Sequence, residues 1–218
     1  MSKVFDTLSS NPTEAHTFLS WWFSGSGIDL DSVVSMVRIH PTAPKIQSFN
    51  FTLGQTLGAI DSSGLDSLIY DHQGTHHDLY FSVSTLKKVP EGKNKRGSLS
   101  NVNKVPGLWV DLDVKDGAFR DRDHVREFLN SLEVVPSAVV FTGSGGAHAY
   151  WKFDTPQSCD VVRQDALSWW AYQSSLSPVV IDKLCDPTRI LRLPGSIRWP
   201  KKSGEEPAGV TTVYTGHT

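Results

Sequence analysis

Two cysteines, Cys159 and Cys185, are all the chain has in 218 residues, so it can build neither a disulfide framework nor a four-cysteine zinc module. No apolar run approaches the roughly 18 residues that a membrane-spanning helix needs. The amino end, Met1 to His16, lacks the continuous apolar stretch of a secretory leader. Internal repeats and low-complexity tracts are missing too. These absences exclude small secreted scaffolds, zinc ribbons and membrane spans, and predict a protein of a reducing cytoplasm with no membrane partner. What is present is ordinary for a globular protein: 39% hydrophobic and 20% charged residues. The length is enough for one domain with a proper core.

The net charge of -2 hides an asymmetry. Up to residue 80 the basic residues are only Lys3, Arg38 and Lys45, against a clear excess of acids. Later, Lys87, Lys88, Lys93, Lys95, Arg96 and Lys104 gather with a lone Glu91, and a second cluster runs Lys183, Arg189, Arg192, Arg198, Lys201 and Lys202. Basic tracks of this kind meet phosphates in nucleic acids or nucleotides, although a solvated lysine-rich loop has the same composition.

Asn11-Pro12-Thr13-Glu14 opens a helix with Ala15, Phe18, Leu19, Trp22 and Phe23 on one side. Residues 32–40 and 79–85 read as strands, followed by a basic loop over about 86–107. Residues 108–114 form a strand, 121–132 an amphipathic helix, 138–141 and 148–153 two strands, and 158–173 a helix. Short strands at 190–193 and 210–214 close the chain. Strands and helices mingle without regular βαβ alternation, which predicts an α/β or α+β fold with a mixed sheet.

Three segments can carry chemistry. In Trp109-Val-Asp111-Leu-Asp113-Val, strand alternation puts both acids on one face and Val110, Leu112 and Val114 on the other. Two close carboxylates repel unless a cation lies between them, and hard oxygen donors suit Mg²⁺ or Mn²⁺. In Thr142-Gly-Ser144-Gly145-Gly146-Ala-His148, glycines let backbone N–H groups approach an anion, Ser144 adds a hydroxyl, and His148 opens the next strand beside them. In Val179-Val-Ile-Asp182-Lys-Leu-Cys-Asp186-Pro-Thr-Arg189-Ile-Leu-Arg192, Asp182 follows an apolar run and is a candidate third acid. Asp186 competes for that role, though an Asp before Pro commonly caps a turn. Arg189 and Arg192 are forked donors suited to phosphate oxygens.

The ordered set resembles the archaeo-eukaryotic primase superfamily, in particular the primase–polymerase domains of phage and plasmid replication proteins, over about Leu79 to Lys202. The resemblance implies a primase-like core with an RRM-like sheet and an N-terminal α/β subdomain. The whole of 1–218 would be a catalytic domain, with an N-terminal subdomain over about 1–85 and the catalytic core over about 108–218. It implies template-directed nucleotidyl transfer with two divalent ions, Mg²⁺ or Mn²⁺, held by Asp111, Asp113 and Asp182. Ser144, Gly145, Gly146, His148, Arg189 and Arg192 would contact the incoming nucleotide. Lys93, Lys95 and Arg96 would hold the backbone of a DNA template and primer. Tyr80, Trp109 and Tyr150 are candidates for stacking on a base or sugar, each also suited to a core. The implied substrates are dNTPs or NTPs, the implied setting a host bacterial cytoplasm, and the implied partner a helicase domain in a longer replicase of which this is the N-terminal part. One departure stands out: the family's serine often lies two residues before the histidine, where this chain has Gly146.

Two other classes share these features. A metal-dependent nuclease would use the same acids, and a non-catalytic origin DNA-binding module would use the basic tracks without them. The histidine-x-histidine spacing of a rolling-circle endonuclease is missing. A separate metal site at Asp71, His72, His76, His77 and Asp78 is disfavoured, because adjacent histidines on a strand point to opposite sides.

Overall fold

Asn11 starts the first helix in the way its sequence predicts. In the computed structural model, which describes residues 8–43, 45–57, 64–183 and 186–215, α1 runs Pro12–Trp22. The Asn11 side chain accepts a hydrogen bond from the Glu14 amide at 3.2 Å, and Pro12 occupies the first turn, where its missing N–H costs nothing. Ala15, Phe18, Leu19 and Trp22 are its buried stripe.

Four strands form the first sheet. β1 (Val33–Ile39) is the β-branched strand read from the sequence, and β2 (Ile46–Thr52) pairs antiparallel along its whole length. Two helices follow, α2 (Leu53–Leu57) and α3 (Leu65–Thr75). α3 contains Asp71 and His72 and ends on His76 at a φ of 54°, so His76 and His77 sit at a helix C-terminus and not on a strand. β3 (Asp78–Ser82) stops earlier than the predicted residue 85. β7 (Ile190–Arg192), from late in the chain, completes the order β2-β1-β3-β7.

The second sheet contains β4 (Lys104–Leu112), β5 (Ala138–Phe141), β6 (Ala147–Ser158) and β10 (Thr211–Tyr214), in the order β10-β5-β6-β4. β4 begins inside the segment read as a basic loop. Pro106 and Gly107 look like turn residues, but the β4–β6 register shifts there as a bulge, and a Cβ on Gly107 would strike the Trp151 carbonyl. Glycine at 107 lets two strands approach more closely than any other residue would allow. α4 (Arg122–Asn130), capped by Asp121 through the His124 amide at 2.8 Å, links β4 to β5. β6 lies antiparallel between those two strands, the split βαβ arrangement. α5 (Cys159–Leu176) packs back onto β4 and β6. A small hairpin, β8 (Ile197–Arg198) with β9 (Ala208–Gly209), packs its β8 against β3 of the first sheet.

The result is α+β, with both sheets antiparallel, and α1 wedged between them. Phe18 meets Phe81 of β3 and Tyr150 of β6 edge-on, each at 5.3 Å between centroids. The Trp22 indole donates to the Val83 carbonyl at 2.9 Å while its ring packs on Tyr150. Burying side chains of this size contributes about 1.5–3 kcal/mol each, so a single hydrophobic cluster fixes one sheet against the other. Among the described residues no helix is long and apolar enough to cross a membrane.

Candidate active site

The β4–β6 register decides what faces the junction of the sheets. Trp109 pairs with Tyr150 and Asp111 with His148, so these four share the face that looks toward α1 and the first sheet. Trp109 and Tyr150 are buried there as core, and the apolar floor they make is what desolvates the polar pair beside them. Asp111 is the innermost acid, its side chain 15% exposed. Burial, then the charges of Asp113 and Asp182, push its carboxyl up to about 7.

Asp113 lies just beyond the end of β4, and Asp182 on the segment after α5. The Trp170 indole on α5 donates to the Ile181 carbonyl at 3.3 Å, which pins that segment. One ammonium joins the two outer acids: Lys115 Nζ is 3.2 Å from Asp113 Oδ2 and 2.6 Å from Asp182 Oδ2. Asp186, the rival third acid, is turned away, its two oxygens accepting from the Thr188 amide at 2.9 Å and hydroxyl at 2.8 Å. Among the described residues no group of three or more His, Cys, Asp or Glu side chains is arranged to hold a metal ion as it stands.

His148 Nε2 stands 3.6 Å from Asp111 Oδ1, too long for a hydrogen bond. Burial, and secondarily the Arg192 charge, push the imidazole down to about 3, so the ring is neutral and the contact is not an ion pair. Its Nδ1 is buried without a hydrogen-bond partner. The glycine loop turns over beside it: Thr142 N donates to the Gly146 carbonyl at 3.0 Å, and the Thr142 hydroxyl lies 2.9 Å from that of Ser144, which is exposed.

A cationic wall faces the acids. Arg192 on β7 is 8% exposed and pairs with Asp78 at 2.7 Å, its guanidinium lying over the Tyr80 ring at 5.2 Å. Asp78 also accepts from the Trp199 amide at 2.8 Å and from the Tyr80 hydroxyl at 3.3 Å. Arg198, on β8, is held by Glu205 at 2.5 Å, and the same carboxylate accepts from the Lys201 amide at 3.2 Å. Tyr80, Arg192, Arg198 and Lys201 line, with the acids Asp111 and Asp113, a cleft of about 290 Å³ at the junction of the sheets.

The structure therefore brings Asp111, Asp113, Ser144, His148 and Arg192 to one cleft, with Asp182 tied to its edge through Lys115. Arg189 does not line it: its amide and carbonyl are spent on Asp186 and Val83, and its Nε is buried without a partner. Lys93 and Lys95 are exposed and Arg96 half-buried on a separate loop. The Asn94, Lys95 and Arg96 carbonyls accept from Ser48, Asn50 and Ser35 of the first sheet, at 3.4, 3.2 and 3.3 Å. Three cationic residues of the cleft, Lys115, Arg198 and Lys201, stand outside the expected site residues. Lys115 was signalled by lying two residues past Asp113, and Arg198 and Lys201 by the second basic cluster.

No family model matches the sequence, and no curated protein does. Solved structures do match. The primase–polymerase domain of cyanophage S-2L superposes with a TM-score of 0.61 at 16% identity, covering 94% of this chain and 91% of that one. Primase RepB′ superposes with a TM-score of 0.56 at 14% identity, covering 93% of this chain and 56% of its own length. This chain has the archaeo-eukaryotic primase fold. A Cβ at Gly146 would lie 2.5 Å from the Leu112 carbonyl of β4, so the loop can approach β4 this closely only with glycine at that position.

Proposed function

We propose that this chain catalyses template-directed nucleotidyl transfer, joining an incoming nucleotide to a primer 3′-hydroxyl with release of pyrophosphate. The observation that carries the reading is the opposition, across one cleft, of the acids Asp111 and Asp113, with Asp182 tied to them through Lys115, to the cationic wall of Arg192, Arg198 and Lys201. The two solved neighbours, a primase–polymerase and a primase, support the same reading.

The donor set fits a divalent ion. Its oxygens are hard, its innermost acid is held near neutrality by burial and like charge, and a lysine ammonium already bridges the outer two. Asp111, Asp113 and Asp182 would hold Mg²⁺ or Mn²⁺, which when bound activates a hydroxyl and offsets phosphate charge. The remaining steps belong to the chain's own groups. Ser144 and the amides of Gly145 and Gly146 bind phosphate oxygens. Neutral His148 donates one N–H to the nucleotide, and Arg192, immobilised by Asp78, keeps a permanent charge over the leaving group. Arg198 and Lys201 close the opposite rim. Lys93, Lys95 and Arg96, on a loop gripped by the first sheet, hold the template–primer backbone.

The test is a primed DNA template with dNTPs and Mn²⁺, following primer length and pyrophosphate together. Lengthening with pyrophosphate in equal amount supports transfer. Shortening that needs no dNTP would identify the nuclease, and binding without either change would identify a DNA-binding module.

A further inference from the structure

Lys115 is the one cation in direct contact with the outer acids among the described residues, and nothing in the proposed transfer uses it. It follows β4 on the turn where the Phe119 amide returns to the Asp113 carbonyl at 3.2 Å. Its ammonium lies 2.6 Å from Asp182 and 3.2 Å from Asp113. The three side chains are all partly open, 46% exposed for Lys115, 42% for Asp113 and 38% for Asp182. Asp111, deeper in the site, has no contact of this kind with Lys115, whose charge only weakly offsets its neighbours.

We infer that Lys115 is an internal counter-ion that competes with the divalent cation for Asp113 and Asp182, and so sets how tightly this site takes its metal. This rests on the proposed function above, in which those acids hold the ion. Lys115 and a divalent ion would be cations drawn to the same two carboxylates. Lys115 Nζ already contacts one oxygen of Asp113 and one of Asp182 and offsets their charge. A divalent ion held by the same acids would meet a like charge beside it, so its binding favours departure of the ammonium. It leaves readily, because a flexible four-carbon stem at a half-exposed position swings into water at small cost. While it stays, it holds Asp182, on the segment after α5, against Asp113, at the end of β4. That contact also explains why the acids do not converge on one point in the structure: two of them are directed at Nζ.

The experiment is Mn²⁺ binding to the full chain, without nucleotide or DNA, read as the free Mn²⁺ signal in electron paramagnetic resonance. Wild type, Lys115→Gln, Lys115→Arg and Asp111→Ala/Asp113→Ala are compared, with circular dichroism to verify folding. Loss of two partly exposed ion pairs predicts that Lys115→Gln binds Mn²⁺ about three- to thirty-fold more tightly than wild type. Lys115→Arg, which keeps the charge, stays near wild type. Equal or weaker binding by a folded Lys115→Gln overturns the inference while leaving the metal site intact, because it shows that Lys115 does not compete. Should Lys115→Gln fold poorly, Lys115→Met must show the same tightening, and a folded Lys115→Met without it overturns the inference equally. Absence of binding in wild type, matched by the double aspartate variant, overturns the underlying metal reading instead.

Discussion

Asp111 and His148 stand directly opposite each other on β4 and β6, 3.6 Å apart, and burial drives them in opposite directions: the carboxyl up to about 7, the imidazole down to about 3. Near neutral pH the free protein therefore has a neutral ring beside a partly protonated acid. The pair is poised to change charge when a cation or a phosphate arrives.

Stability should register that strain. Between about pH 4 and pH 7 the unfolded chain ionises Asp111 and the folded chain resists, so stability falls as pH rises through this window. His148 works on the acid side. Below about pH 6.5 the unfolded ring takes up a proton that the folded one refuses, and stability falls as pH drops toward 3. Asp111→Asn removes the first effect. In EDTA at about pH 8 it should be more stable than wild type by roughly 2–4 kcal/mol, and no different near pH 4. Urea unfolding at both pH values measures this, and an equal difference at each would contradict it.

The glycine loop separates packing from binding. Gly146→Ser puts a Cβ 2.5 Å from the Leu112 carbonyl and should cost about 1–3 kcal/mol by forcing β4 and the loop apart. Ser144→Ala, at an exposed position, should change stability by less than about 0.5 kcal/mol while weakening nucleotide binding several-fold. Thermal melts and nucleotide titration of both variants check the contrast.

Arg192 and Asp78 are both buried, so removing one strands the other. Asp78→Ala should cost about 3–5 kcal/mol. Asp113→Ala, in a half-exposed pair with Lys115, should change stability by less than about 1 kcal/mol. Comparable losses for the two variants in denaturant unfolding would show that the Asp78 network is not what holds the cationic wall.

The basic loop should act on DNA through charge alone. Replacing Lys93, Lys95 and Arg96 by alanine should reduce the slope of log affinity against log salt by about 2–3, with no dependence on template sequence. Fluorescence anisotropy with a labelled template at several salt concentrations reads the slope directly.

The elements legible in the sequence are those with contrast between their two faces. α1 shows a cap and an apolar stripe, and β4 alternates acids with valine and leucine, so both are seen at once. β2 is half-exposed along nearly its whole length, and Gln47, Ser48 and Asn50 erase its period. α3 buries Leu65, Leu68 and Ile69 but also Asp66 and His72, which interrupt its apolar stripe. His16 meets Asp66 at 2.6 Å from α1, a contact across 50 residues that no local pattern can announce. β6 continues past Phe153 through Pro156 because β4 runs beside it. The shared face of Asp111 and His148 was legible because strand alternation fixes it; Asp182 lies on no strand, and no period places it. The placement of the arginines was not legible: Arg189 and Arg192 look alike in sequence, and only the partners Asp78 and Tyr80 bring Arg192 to the cleft.

Asp111 and Asp113 are proposed to serve nucleotidyl transfer, and extension of a labelled primer on a DNA template with dNTPs and Mn²⁺ tests this most directly, wild type beside Asp111→Ala/Asp113→Ala. Wild type should extend the primer and the folded double variant should not, with DNA binding retained. Extension of equal rate by both proteins would contradict it.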